Sequence, residues 1–87
     1  MLFQYQERFK DGGECMNCHK QVHRLTIDHI IPVAILDVFD ETGDLKYEWV
    51  ENFSAVCQPC NSYKGSRIDP TNLKTKPLMI KLLSNQP

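Results

Sequence analysis

Cys57-Gln58-Pro59-Cys60-Asn61-Ser62-Tyr63-Lys64-Gly65 is the stretch on which the fold turns. A two-residue spacer lets both sulfurs of a CxxC unit face one ion, and zinc takes four such ligands tetrahedrally. The partner unit lies upstream as Cys15-Met16-Asn17-Cys18, with 38 residues between the two pairs. The chain has 87 residues, short enough that its apolar core needs help. Ordering costs roughly 1.5 kcal/mol per residue and nearly cancels what so small a core returns. A structural zinc contributes on the order of 10–16 kcal/mol in apparent binding energy. In an exported protein four cysteines would instead allow three disulfide connectivities. The N-terminus Met1-Leu2-Phe3-Gln4-Tyr5-Gln6-Glu7-Arg8 has no apolar run of signal-peptide length, and no stretch reaches the length of a membrane span. In a reducing cytoplasm, paired CxxC units point to metal. The expectation is therefore one structural zinc on Cys15, Cys18, Cys57 and Cys60. Four thiolates leave no open position for water, so this ion is catalytically silent. His19, directly after Cys18, is the one further candidate ligand.

Working outward, the pattern predicts an α+β domain over residues 1–87. Leu2, Tyr5 and Phe9 recur at helical spacing over Leu2–Lys10, ending at Asp11-Gly12-Gly13. Cys15–Lys20 reads as a metal-knuckle turn. Val22–Val33 is rich in β-branched residues and closes at Pro32, so it reads as a strand. Ala34–Val50 is a long connection with a turn at Glu41-Thr42-Gly43-Asp44 and room for a short helix before it. Phe53–Val56 reads as a second strand entering the second knuckle. Pro59–Lys64 reads as a short helix, stopped by Gly65 in the left-handed conformation. Asp69-Pro70 marks a loop, and Pro77–Ser84 a last apolar helix with Pro77 in its first turn. Trp49 and Phe53 read as core residues, and His23 as a surface histidine.

Charge is uneven although the formal net value is only −1. Asp37, Asp40, Glu41, Asp44, Glu48 and Glu51 face Lys46 alone between residues 37 and 51, whereas Lys64, Arg67, Lys74, Lys76 and Lys81 face Asp69 alone between 64 and 81. Phosphate-backbone binding depends on such local charge, which makes Lys64, Arg67, Lys74 and Lys76 candidate DNA contacts. A solvated surface with no partner is the alternative.

Between the knuckles lie Asp28-His29-Ile30-Ile31-Pro32 and Asn52, and Asn61 follows the last cysteine at once. A zinc ribbon needs none of these. The series CxxC, DHIIP, an Asn five residues before the second CxxC, then CNxxKG resembles the HNH endonuclease family over residues 15 to 65. The resemblance implies a small zinc-stabilised ββα-metal fold, here with flanking N- and C-terminal helices, acting as an endonuclease on DNA. Its candidate catalytic residues are His29, Asp28, Asn52 and Asn61. Matched by position, Asp28 and Asn61 correspond to the ligands of a divalent cation and His29 to the base that deprotonates the attacking water. Asn52 corresponds to the middle Asn, which holds the loop between the strands and helps orient the histidine.

The chemistry agrees with that assignment. Phosphodiester hydrolysis needs an activated water, and neutral imidazole suits that task near neutral pH. A carboxylate and an amide oxygen form a hard, incomplete ligand set suited to Mg²⁺ or Mn²⁺. Adjacent residues of a regular strand point to opposite faces, so Asp28 and His29 reach one phosphate only if the strand bends or ends there, or if the site straddles its edge.

The segment between His29 and Asn52 departs from the family pattern: it is long and acidic and lacks the glycine pair often found there. Repelling non-specific DNA, contacting a partner and forming a plain surface excursion are its three candidate roles. The expected setting is the cytoplasm of a bacterial or phage-type host, with DNA as partner, no membrane, and room for a homodimer or a larger nuclease complex. A non-catalytic zinc-knuckle module that binds DNA or protein is the alternative function.

Overall fold

The computed structural model describes residues 1–40 and 42–84. Helix α1 (Leu2–Arg8) leads into a zinc-knuckle hairpin of β1 (Gly13–Glu14) and β2 (Gln21–Val22). Strand β3 (Thr26–His29) is followed by α2 (Val33–Phe39), α3 (Leu45–Glu48) and a 3₁₀ turn at Val50–Asn52. Strand β4 (Phe53–Val56) pairs antiparallel with β3, setting Thr26 opposite Val56, Asp28 opposite Ser54 and His29 opposite Phe53. Helices α4 (Gln58–Lys64) and α5 (Thr75–Ser84) complete the chain. The architecture is α+β, with β3, β4 and α4 as its ββα unit.

The strand expected over Val22–Val33 is much shorter. Val22 belongs to the knuckle hairpin, where Gly12 bends at φ +85°; a Cβ there would lie 2.2 Å from the Val22 carbonyl oxygen, too close for any side chain. Ile30 donates its N–H to the Asn52 carbonyl at 2.9 Å, and the ladder then stops. Pro32, at φ −58°, stands at the start of α2. Val33 and Ile35 are helical in spite of their β-branched side chains, because α2 turns Leu36 into the core and packing outweighs local propensity. In the turn expected at 41–44, Glu41 lies outside the described residues, while Gly43 takes φ +77°. Gly65 stops α4 with φ +58° and ψ −133°. Its φ is positive as expected, but its ψ lies far from the left-handed helical well, in a region only glycine enters freely. Helix α5 begins two residues before Pro77, which therefore sits in the first turn, where its missing N–H costs nothing.

Three apolar clusters support these elements. Ile30, Ile31, Leu36, Trp49, Leu78 and Leu82 form the largest; Tyr5, Phe53 and Ala55 form a second beneath α1; Cys15, Val56 and Cys57 form a third at the knuckles. No helix among the described residues is long and apolar enough to cross a membrane.

Candidate metal centre and nuclease site

The four cysteine sulfurs lie within 4.8 Å of one another. Cys18 Sγ and Cys57 Sγ are 3.7 Å apart, whereas a disulfide requires about 2.05 Å. Tetrahedral thiolates at about 2.3 Å from zinc are about 3.8 Å from each other, so the cluster fits that ion. Two backbone contacts seat the first knuckle: Cys15 N–H donates to the Lys20 carbonyl and Met16 N–H to the Ala55 carbonyl of β4, each at 2.9 Å. His19 is not a ligand, since its Nδ1 turns to Glu14 at 3.1 Å.

The thiols influence one another strongly. Burial opposes the Cys15 thiolate, but N–H groups of Cys18, Cys57 and Asn17 and the Cys18 thiol outweigh it and lower its pKa to about 6. Cys57 moves the other way, to about 12. The Cys60 N–H favours its thiolate, but the neighbouring thiols of Cys60, Cys15 and Cys18, together with burial, overcome that effect. A divalent ion held by the four sulfurs would favour all four thiolates and so release the remaining protons.

Strand alternation divides the second group of residues between two faces of β3. Thr26 and Asp28 face α4. There Asn61 Nδ2 donates to Thr26 Oγ1 at 2.9 Å, and Lys64 Nζ donates to Asp28 Oδ1 at 3.0 Å and to the His29 carbonyl at 2.8 Å. Asn61 and Lys64 are three residues apart and share one helix face. The Thr26 hydroxyl donates to the Val56 carbonyl at 3.0 Å. Its only hydrogen is thereby used, so from Asn61 it can only accept, and the Asn61 amide orientation follows. Asn61 Oδ1 and Asp28 Oδ2, both hard oxygens, receive no hydrogen bond from a described residue. Each is of the oxygen type that suits a hard divalent cation.

His29 faces the other way. Its ring packs edge-on against Phe53, with centroids 5.5 Å apart, and its Nε2 lies 2.7 Å from the Lys46 carbonyl oxygen. A carbonyl only accepts, so Nε2 carries the hydrogen and the lone pair of the neutral ring is on Nδ1. Asn52 is completely buried. Its Oδ1 accepts from Ile31 N–H at 2.7 Å and its Nδ2 donates to the Ile31 carbonyl at 3.1 Å. Asn52 therefore clamps the backbone two residues beyond His29. Strand β3 ends at His29. No hydrogen bond joins the side chains of Asp28, His29 and Asn61 to one another.

A model of the HNH endonuclease family matches residues 15–67, more than half of the chain. The chain belongs to the HNH endonuclease family. No curated protein matches it, and no solved structure does. The HNH match spans both knuckles, β3, β4 and α4, so the metal cluster and the divided histidine site lie within one family unit.

Beside that unit runs a groove of about 490 Å³, lined in part by Asp28, Ser54, Tyr63, Lys64 and Arg67. His29 and Asn61 are not in its lining. Arg67, Lys74 and Lys76 are exposed. Lys64 is not: its side chain is only 14% exposed and is held by Asp28. Sequence reasoning missed both this ion pair and the Lys46 carbonyl. Among the described residues of the acidic segment 37–51, three carboxylates form ion pairs at the surface. Asp37 pairs with Lys46 at 3.7 Å, Glu51 with Lys81, and Glu48 with the N-terminal amine at 3.9 Å. Asp40 accepts the Leu45 N–H at 2.6 Å and so caps the turn into α3.

Proposed function

We propose that the chain is a metal-dependent DNA endonuclease in which His29 Nδ1 is the general base. The observation that carries this reading is the 2.7 Å contact between His29 Nε2 and the Lys46 carbonyl, which fixes the tautomer that a base needs. Asp28, through its carboxylate, and Asn61, through Oδ1, are the protein ligands of one Mg²⁺ or Mn²⁺. When bound, that cation supplies charge stabilisation to the phosphate and the departing 3′ oxygen. His29 takes a proton from water as the water's oxygen attacks phosphorus; the P–O3′ bond breaks, the departing 3′ oxygen takes a proton from solvent to become a hydroxyl, and a 5′-phosphate remains. The phosphate lies across the end of β3, where both faces of the strand can be reached. Phe53 and the Lys46 carbonyl hold the imidazole in plane, and Asn52 holds the strand end. Arg67, Lys74 and Lys76 contact the DNA backbone. The cysteine-bound zinc is structural, since all four of its positions are filled by sulfur.

A plasmid-nicking assay tests this. Supercoiled DNA with Mg²⁺ or Mn²⁺ is expected to relax, and His29→Ala to lower the rate by about 10²–10⁴-fold, with zinc content and near-UV spectrum unchanged. Nicking by His29→Ala at the wild-type rate overturns the base assignment. The alternative, a zinc module that binds DNA or protein without cutting, is favoured by the net charge of −1; binding without nicking by the wild-type chain would establish it.

A further inference from the structure

We propose that Lys64 is a tethered counter-cation that competes with the divalent ion for Asp28, so that loading the ion releases the lysine. This rests on the assignment of Asp28 as a cation ligand. The ammonium sits 3.0 Å from Asp28 Oδ1 and 2.8 Å from the His29 carbonyl oxygen. The two side chains are only 14% and 9% exposed, so water screens their attraction weakly, and removing either partner leaves a nearly buried charge uncompensated. Helix α4 builds the arrangement with a fixed register. Asn61 is anchored on Thr26 while Lys64, one turn on, reaches Asp28. The helix thus delivers both an amide oxygen for a hard ion and the ammonium that opposes it.

A divalent cation on Asp28 places two positive centres on one carboxylate. Their repulsion in this poorly solvated corner drives the lysine off, and its four-carbon stem lets the head group swing into the adjoining groove. There it becomes free to meet an anionic phosphate. Ion binding and DNA binding are then linked through one side chain, and by linkage each strengthens the other by the same factor.

The test measures Mn²⁺ binding without DNA, by the loss of the free-ion EPR signal, for the zinc-loaded wild-type chain, Lys64→Met, Asp28→Asn and the double variant. Lys64→Met is expected to bind Mn²⁺ at least about fivefold more tightly than wild type. Asp28→Asn is expected to bind it weakly, and the double variant to gain nothing over Asp28→Asn. Equal or weaker binding by Lys64→Met overturns the competition, and if Asp28→Asn still loses the ion, the cation site itself survives. Wild-type affinity in Asp28→Asn overturns both. Should Lys64→Met lose its fold, NMR of the lysine Nζ hydrogens in the wild-type chain decides. Those of Lys64 should exchange slowly with water before Mg²⁺ is added and fast at saturation. Slow exchange at saturating Mg²⁺ overturns the proposal.

Discussion

At the knuckles, Cys15, Val56 and Cys57 make a buried cluster of three residues; at the other end, Ile30, Ile31, Leu36, Trp49, Leu78 and Leu82 make one of six. The first end has too little apolar surface to hold itself and carries four sulfurs within reach of one ion. The second holds itself by packing and has no described metal cluster. Strand β3 runs between them. Its Asp28 face belongs with α4, which springs from the second knuckle, while the residues after His29 and the Lys46 carbonyl belong with the apolar end. The proposed nuclease site is a joint between a metal-held half, which carries Asp28 and Asn61, and a packed half, whose Lys46 carbonyl holds His29.

The strongest way to break this comparison is to remove the ion. Chelation of zinc, or Cys57→Ala, should cost on the order of 10 kcal/mol, a large share of any small domain's stability, and near-UV dichroism should disappear. A chain that stays folded without zinc would show that the packed half suffices alone. Acid should act in the same direction. Cys15 is a thiolate only above about pH 6, and Cys57, at about 12, must lose a proton to ligate. Zinc affinity should therefore fall with pH through the neutral range, where Cys57 must shed its proton, and more steeply below about 6, where Cys15 is protonated too. Calorimetry in buffers of different ionisation enthalpy should record proton release on binding.

Leu82→Ala attacks the packed half, where Leu82 is 2% exposed. A loss of about 2–5 kcal/mol is expected, read as a lower Tm at unchanged zinc stoichiometry. Equal weakening of zinc binding would show that the halves fold as one. Asn52→Ala leaves the Ile31 N–H and carbonyl unpaired and should cost about 2–6 kcal/mol, at about 1–3 for each buried group. Nicking should fall with it, although Asn52 is buried away from any substrate.

The smallest effect expected is that of Asp40→Ala. The Leu45 N–H holds the Asp40 carboxyl below its ordinary range, helped by the Thr42 hydroxyl, and this turn leads to the Lys46 carbonyl. Tm should barely move, while nicking should slow because the imidazole is less firmly held. An unchanged rate would show that α3 keeps its place without the cap.

Much of this was readable in the residues. Strand β4 matched its expected span because Phe53, Ala55 and Val56 are apolar between a turn and a cysteine knuckle. Helix α4 was marked by Pro59 near its start and Gly65 at its end. The strand expected through Val33 failed because β-branched residues describe a preference, and the core claimed Val33 and Ile35 for a helix instead. The Lys64–Asp28 pair spans 36 residues, a separation over which no local pattern operates. The ion pairs of the acidic segment, with Lys46, Lys81 and the terminal amine, form only in three dimensions, so the residues alone left its three candidate roles open.

The partner that orients His29 is a peptide oxygen, and this has an evolutionary consequence. Every amino acid at position 46 brings the same oxygen, so for orienting His29 the identity of that side chain does not matter, and the Lys46 ammonium pairs with Asp37 instead. What must persist is the length and curvature of the path from Asp40 to Trp49. Insertions and deletions there should therefore be far more damaging than exchanges of side chain.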